Sequence, residues 1–364
     1  MKRNILLNPG PATTSIGVKK AQLVPDICPR EKEFGNLMES ISLDLTKIAG
    51  GDDSYACILM AGSGTAGMDA AVNSVINGRV LIINNGAYGE RFIKIAKAYS
   101  IDFKEIFFDW GEEVNTSKIE KELMNDTTIK YIIAVHHETT TGILNPIKRI
   151  GELARKYGCV FIVDTVSSFA GVPFNIKEYN IDFMISTSNK CIQGMPGVCF
   201  IVCKRSELEK TKDYKPRSFY LNLYRNYEYF QQNKQTPFTP PVQTIYALRK
   251  AIDEFLIEGP DKRYKRYLQN NAILNQGMEA LGFKKTFKNF KESGLLTTFW
   301  EPTDSNYSFD KMHDLLYKKG FTIYPGKIKE KTFRLANMGE IYPKDIKGFL
   351  KAMKTVIKEM NIKL

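Results

Sequence analysis

Between about residues 55 and 204 the chain repeats one pattern, a short apolar run rich in β-branched residues followed by an amphipathic stretch and then another apolar run. The runs fall at 57–60, 80–83, 131–135, 160–163, 183–185 and 198–202. Strands with one wet face alternate polar and apolar residues, so runs this uniformly apolar predict strands buried on both faces. The amphipathic stretch 146–157, opened by Asn145-Pro146 and closed by Gly158, predicts one of the intervening helices. Strand and helix in repetition mean an α/β fold with a mostly parallel central sheet covered by helices, and such sheets bind ligands at the carboxyl ends of their strands.

A chain of 364 residues exceeds one ordinary domain. After an aromatic-rich, Asn- and Gln-rich excursion at 214–241, which reads as a long irregular loop, a helix is expected at 242–258, ending at Gly259-Pro260. Helical patterns at 262–281, 309–319 and 344–360, with a strand-like run at 295–300, predict a smaller α+β C-terminal domain. The expected division is a large domain at 15–255 and a small one at 256–364 together with 1–14.

Composition narrows the function classes. No window approaches about 18 uninterrupted apolar residues, and the start, Met1-Lys2-Arg3-Asn4 followed by Ile5-Leu6-Leu7, is too short for a signal-peptide apolar region. The six cysteines form no Cys-x-x-Cys pair and mostly sit in apolar runs, which suits reduced thiols in a cytoplasmic protein. The net charge of +12 comes from scattered lysines rather than a basic run interleaved with aromatics, so the pattern argues for anionic small molecules and against nucleic acid.

Four polar clusters follow apolar runs. Gly62-Ser63-Gly64-Thr65-Ala66-Gly67 opens a helical stretch, and glycines before a helix start let a phosphate approach free N–H groups. An ordinary strand-to-helix turn fits the same residues. The cluster also matches the dinucleotide fingerprint, yet the acid that would bind ribose is missing, because the next run ends in Asn84-Asn85-Gly86. The second cluster, Asn84 to Arg91, fits a mere turn with Tyr88 as a surface aromatic, and equally an aromatic at a strand end that would stack on a planar ring. The third, His136-His137-Glu138-Thr139-Thr140-Thr141-Gly142, has adjacent histidines but no third ligand set, so no metal is expected. The fourth is a pair: Asp164 at the end of one apolar run and Lys190 just after the next. A salt bridge would account for that pair alone. With a phosphate cradle and an aromatic at the same rim, the set matches what pyridoxal 5'-phosphate requires: an imine-forming amine, a carboxylate for the pyridine nitrogen, a ring partner and a phosphate site.

These residues, with Asn8-Pro9-Gly10-Pro11, His137 to Pro146 and Ser188-Asn189-Lys190-Cys191-Ile192-Gln193-Gly194, resemble the class V aminotransferases of the fold-type I pyridoxal phosphate superfamily. The resemblance spans essentially the whole chain, strongest from residue 6 to 204. The runs Glu138 to Pro146 and Asn189 to Gly194 are most similar to the branch that moves the amino group of 2-aminoethylphosphonate to pyruvate. The chain departs from that branch at Thr165-Val166, where Ala or Ser followed by Met is usual, and at His137, where Cys is common.

The resemblance implies that Lys190 is the Schiff-base lysine and proton carrier and Asp164 the partner of the pyridine nitrogen. Tyr88 would stack on the ring, Ser63, Gly64 and Thr65 would hold the phosphate, and Thr139 or Thr140 would touch ring substituents. Thr239, in Thr239-Pro240-Pro241, would reach the cofactor phosphate of a second subunit in a homodimer. Arg334 would clamp the substrate's acidic group in a bidentate way. Serine or alanine as donor, with glyoxylate or pyruvate, is the nearest alternative. Cysteine desulfuration through Cys191 and a nicotinamide oxidoreductase are more distant ones.

Overall fold

The computed structural model describes residues 4–287, 291–328 and 331–364; the first three residues of the start read above lie outside them. The central sheet has seven strands: β1 (Tyr55–Ala61), β2 (Arg79–Asn84), β3 (Phe103–Phe107), β4 (Ile129–Val135), β5 (Val160–Asp164), β6 (Phe183–Thr187) and β7 (Val198–Lys204). Their order is β1-β7-β6-β5-β4-β2-β3, with β7 antiparallel to both neighbours and the other pairs parallel.

Alternate side chains leave opposite faces of a strand, and here both faces are covered. Leu81, Ile132, Phe161, Met184 and Phe200 pack beneath helices α1 (Lys32–Ile48), α4 (Ile147–Lys156) and α6 (Val242–Glu258). On the other face Val80, Ile133, Ile162, Ile185 and Ile201 meet α2 (Gly64–Val75) and α3 (Ala87–Ala98). Double-sided burial is the physical cause of the unbroken apolar runs. Strand β3 lacks such a run because it is an edge strand on which only Ile106 is buried, unlike the other edge strand, β1, which is mostly buried.

The stretch 214–241 departs from expectation. It contains α5 (Leu223–Asn233), capped by Asn222, whose side chain accepts from the Arg225 N–H at 2.8 Å. Only Leu223 and Asn226 of this helix are buried, so its sequence lacks the broad apolar stripe that identifies a packed helix.

Beyond α6, a second core forms around Leu274, Phe299, Phe333 and Phe349, with Ile5 and Leu7 from the start of the chain built into it. It is framed by α7 (Pro260–Ala280), α8 (Phe309–Lys318) and α9 (Pro343–Met360). A three-stranded antiparallel sheet, β8 (Leu296–Trp300), β9 (Tyr324–Pro325) and β10 (Thr332–Ala336) in the order β8-β10-β9, completes it.

Phe200, fully buried in β7 and edge-on to Phe169 with ring centroids 5.2 Å apart, joins the sheet to its helical layer. Phe200→Ala is expected to cost about 3–5 kcal/mol. A thermal melt followed by circular dichroism checks this as a midpoint lowered by several degrees.

Candidate active site

The carboxyl ends of β1, β2, β4, β5 and β6 open at one rim, and the sequence places a polar group just past each. Lys190 stands three residues beyond β6, partly buried, with Nζ donating to the Pro9 carbonyl. Gly10, at φ +142°, lies against this lysine where any side chain would collide with it. The loop is pinned further by the Ala12 N–H donating to the Asn189 carbonyl at 2.9 Å. Burial pushes the Lys190 ammonium pKa down; Arg334 pushes the same way, against Tyr88 and Asp164. A lysine poised toward its neutral form can act as nucleophile and base.

Asp164 ends β5 and is 3% exposed. One carboxylate oxygen accepts from the Val166 N–H at 2.7 Å. Among the described residues no cation pairs with it at salt-bridge distance, and burial raises its pKa to about 7, with Glu138 adding to the rise and Val166, Arg91 and Lys190 opposing it. A buried carboxylate in this state suits a partner that carries its own proton, which a pyridinium nitrogen does.

Glu138, which the sequence reading left without a role, organises the next part. It is fully buried and accepts from the Tyr88 N–H at 3.1 Å, the Thr140 N–H at 3.0 Å and the Thr140 hydroxyl at 2.6 Å. Burial raises its pKa against these bonds. The carboxylate sits at the N-terminus of α3, and Gly86 is needed there because a Cβ would overlap Glu138. Tyr88 is thereby fixed at the rim. Its ring lies 4.6 Å from the Arg91 guanidinium and 4.9 Å from Lys327 Nζ, centroid to cation. Burial raises the Tyr88 hydroxyl pKa, but Lys190, Lys327, Thr139 and Arg91 overcome it and the net shift is downward.

Two further features test whether these residues fit pyridoxal phosphate. Ser63 caps α2 without using its hydroxyl on the helix, so the first N–H groups, at Gly64 and Thr65, remain for an anion. Arg91 donates to Thr65 Oγ1 at 3.0 Å and brings positive charge to that turn. His137 Nε2 is buried with no hydrogen-bond partner among the described residues, as expected of a group awaiting a polar ligand, and the buried Thr139 hydroxyl faces the Tyr88 hydroxyl beside it. His137 Nδ1 lies 3.1 Å from the Ser167 carbonyl and must carry the ring proton; burial lowers the ring's pKa to about 4, so Nε2 is a bare acceptor. The residues fit the cofactor.

Arg334, in β10, is 3% exposed, its Nε donating to the Pro325 carbonyl and one terminal nitrogen to the Thr139 carbonyl, both at 3.1 Å. Among the described residues no carboxylate pairs with it. The fold thus gathers Lys190, Asp164, Tyr88, Thr139 and Arg334, with Ser63, Gly64 and Thr65 joined to them through Arg91. The Thr140 hydroxyl is committed inward, donating to Glu138 and accepting from the Ala87 N–H at 3.0 Å. Thr239 stands apart: it is exposed and lines a cavity with Met60, Ala61 and Tyr220. Sequence reasoning passed over Arg91, Glu138 and Lys327; of these only Glu138 carried a signal, an acid between His137 and a threonine run at a strand end.

Residues 21–311 match the family model described as aminotransferase class-V. A 2-aminoethylphosphonate–pyruvate transaminase of Phocaeicola vulgatus is 39% identical over 365 residues, covering 98% of this chain and 100% of the relative. The Klebsiella pneumoniae enzyme of the same name is 40% identical over 357 residues, with 96% of each covered. Among solved structures, the ureidoglycine–glyoxylate aminotransferase of Bacillus subtilis superposes with a TM-score of 0.92 at 24% identity, over 100% of this chain and 95% of that one.

The raised pKa of Asp164 has a stability consequence. Its folded form holds a proton that the unfolded chain, with a value near 3.8, gives up first, so stability falls as pH rises from about 4 to about 7. Melting the cofactor-free protein at pH 5 and pH 8 is expected to show a loss that Asp164→Asn reduces by about 2–3 kcal/mol.

Proposed function

Because the chain belongs to the class V aminotransferase family, we infer that it moves the amino group of 2-aminoethylphosphonate to pyruvate, giving phosphonoacetaldehyde and alanine. The observation that carries this reading is the convergence at one rim of Lys190, Asp164, Tyr88 and a buried Arg334 with no carboxylate partner among the described residues, in a chain whose near-full-length relatives bear that activity's name. Pyridoxal 5'-phosphate, when bound, supplies an electron sink for the pair left behind as the donor loses its α-proton. Every other function falls to the protein's side chains.

Ser63, Gly64 and Thr65 would hold the cofactor phosphate on the first turn of α2. Tyr88 and the Thr139 hydroxyl would hold its ring. Asp164 would pair with the ring nitrogen and keep it protonated, each charge removing the other's burial cost. With the cofactor and donor bound, Lys190 Nζ would take the donor's α-proton and return it when the amino group leaves, for which its depressed pKa equips it. Arg334 grips the phosphonate in one half-reaction and the pyruvate carboxylate in the other, its guanidinium already immobilised by two backbone carbonyls.

Two rival chemistries lose support. Cys191 is fully buried and its thiol is pushed up to about 12, unsuited to the mobile nucleophile of a desulfurase. Strand β2 ends in Asn84, an amide at the position where the dinucleotide fingerprint calls for an acid to bind a nicotinamide ribose.

The working unit is a homodimer in which Thr239 completes the neighbour's phosphate site. Support comes from the exposed aromatics beside it: Phe219 is 66% exposed, and Tyr220 stacks on Phe238 at 4.6 Å. A cytoplasmic location is supported by six free cysteines. No described helix is long and apolar enough to cross a membrane.

Incubating the protein with pyruvate and single donors, and quantifying alanine, tests the assignment: 2-aminoethylphosphonate is expected to yield alanine far faster than serine does. Lys190→Ala is expected to abolish the reaction, and Arg334→Lys to raise KM about tenfold by losing the bidentate grip. Serine as the preferred donor would sink the assignment.

A further inference from the structure

We propose that Lys327 is a second ligand for the donor's head group and the residue that makes this site prefer a phosphonate to a carboxylate. The proposal rests on the function given above and names its specificity determinant. Four cations surround Tyr88: Lys190, Arg91, Arg334 and Lys327. Their tasks separate by geometry. Arg91 is bound to Thr65 Oγ1 in the phosphate turn and answers the cofactor's own phosphate. Lys190 is joined to the cofactor. Arg334 and Lys327 remain, and among the described residues neither has a carboxylate within salt-bridge distance.

These two cations belong to one small structure. Strand β9 pairs antiparallel with β10, with Tyr324 opposite Arg334 and Pro325 opposite Phe333. The Arg334 Nε donates to the Pro325 carbonyl at 3.1 Å, two residues before Lys327. The guanidinium therefore holds the segment that carries the lysine, and Lys327 Nζ ends 4.9 Å from the Tyr88 ring centroid, on the residue expected to cover the cofactor.

Charge and shape decide what this pair recognises. A phosphonate carries between one and two negative charges near neutral pH, as phosphate monoesters do, whereas a carboxylate carries one. A bidentate guanidinium satisfies two oxygens, all that a carboxylate has; a tetrahedral head offers a third, which a compact ammonium with three donors can take. Arg334 is buried and fixed, while Lys327 is exposed. When pyruvate or alanine occupies the site, Lys327 stays in water at no desolvation cost, so its contribution is concentrated in the phosphonate half-reaction.

The test uses the cofactor-loaded enzyme, its Lys327→Gln variant and its Lys327→Arg variant. For each, kcat/KM is measured with 2-aminoethylphosphonate and, in the reverse direction, with alanine, and calorimetry gives the affinity for the unreactive probes ethylphosphonate and propionate. Lys327→Gln is expected to lower the phosphonate-to-carboxylate ratio about tenfold in both measurements, and Lys327→Arg to restore most of it. An unchanged ratio, or equal losses for both head groups, overturns the proposal. Ethylphosphonate binding reads Lys327 directly, so a wild-type protein that made no alanine from 2-aminoethylphosphonate would defeat the function while leaving this measurement decisive.

Discussion

Asp164 sits at the end of the central strand β5 with a carboxylate that water barely reaches, one backbone N–H to satisfy it, and no cation paired with it. Such a group is destabilising in an empty protein and becomes favourable when a protonated ring nitrogen arrives. The rest of the rim is arranged around that exchange. Glu138, also buried, anchors the first turn of α3 and sets Tyr88 where a ring must lie; the N-terminal loop around Gly10 closes over Lys190. Of the two buried acids, Glu138 is satisfied by Tyr88 and Thr140 within the protein, whereas Asp164 has a single backbone N–H.

Positive charge is distributed with similar economy. Arg91 serves the phosphate turn, Arg334 is immobilised by backbone carbonyls from Thr139 and Pro325, and Lys327 approaches from an exposed segment. Arg334 bridges the two cores: its strand belongs to the small sheet, yet one of its donors reaches the Thr139 carbonyl beside Glu138. A movement of the small layer against the large one would therefore act directly on the Arg334–Thr139 contact.

Much of this was legible in the residues. The apolar runs located six of the seven sheet strands, because burial on both faces leaves no room for polar alternation; β3 escaped since only its Ile106 is buried. Asp164 and Lys190 stood out because charged groups beside buried strands are rare. Helix α5 was hidden by its narrow buried side, and the role of Glu138 was hidden because its bond from the Tyr88 N–H joins residues about fifty apart along the chain.

Local pattern, then, determined which segments are strands, which loops follow them and which residue types wait at the rim, because hydrophobic periodicity and strand-end chemistry are properties of neighbours in the chain. Only the tertiary structure decided that Arg334 would reach Thr139, that Glu138 would cap α3, and that Lys327 would come within 4.9 Å of the Tyr88 ring centroid. Those contacts join residues far apart in sequence, and their geometry depends on how the two cores pack and on where a buried charge can find a partner.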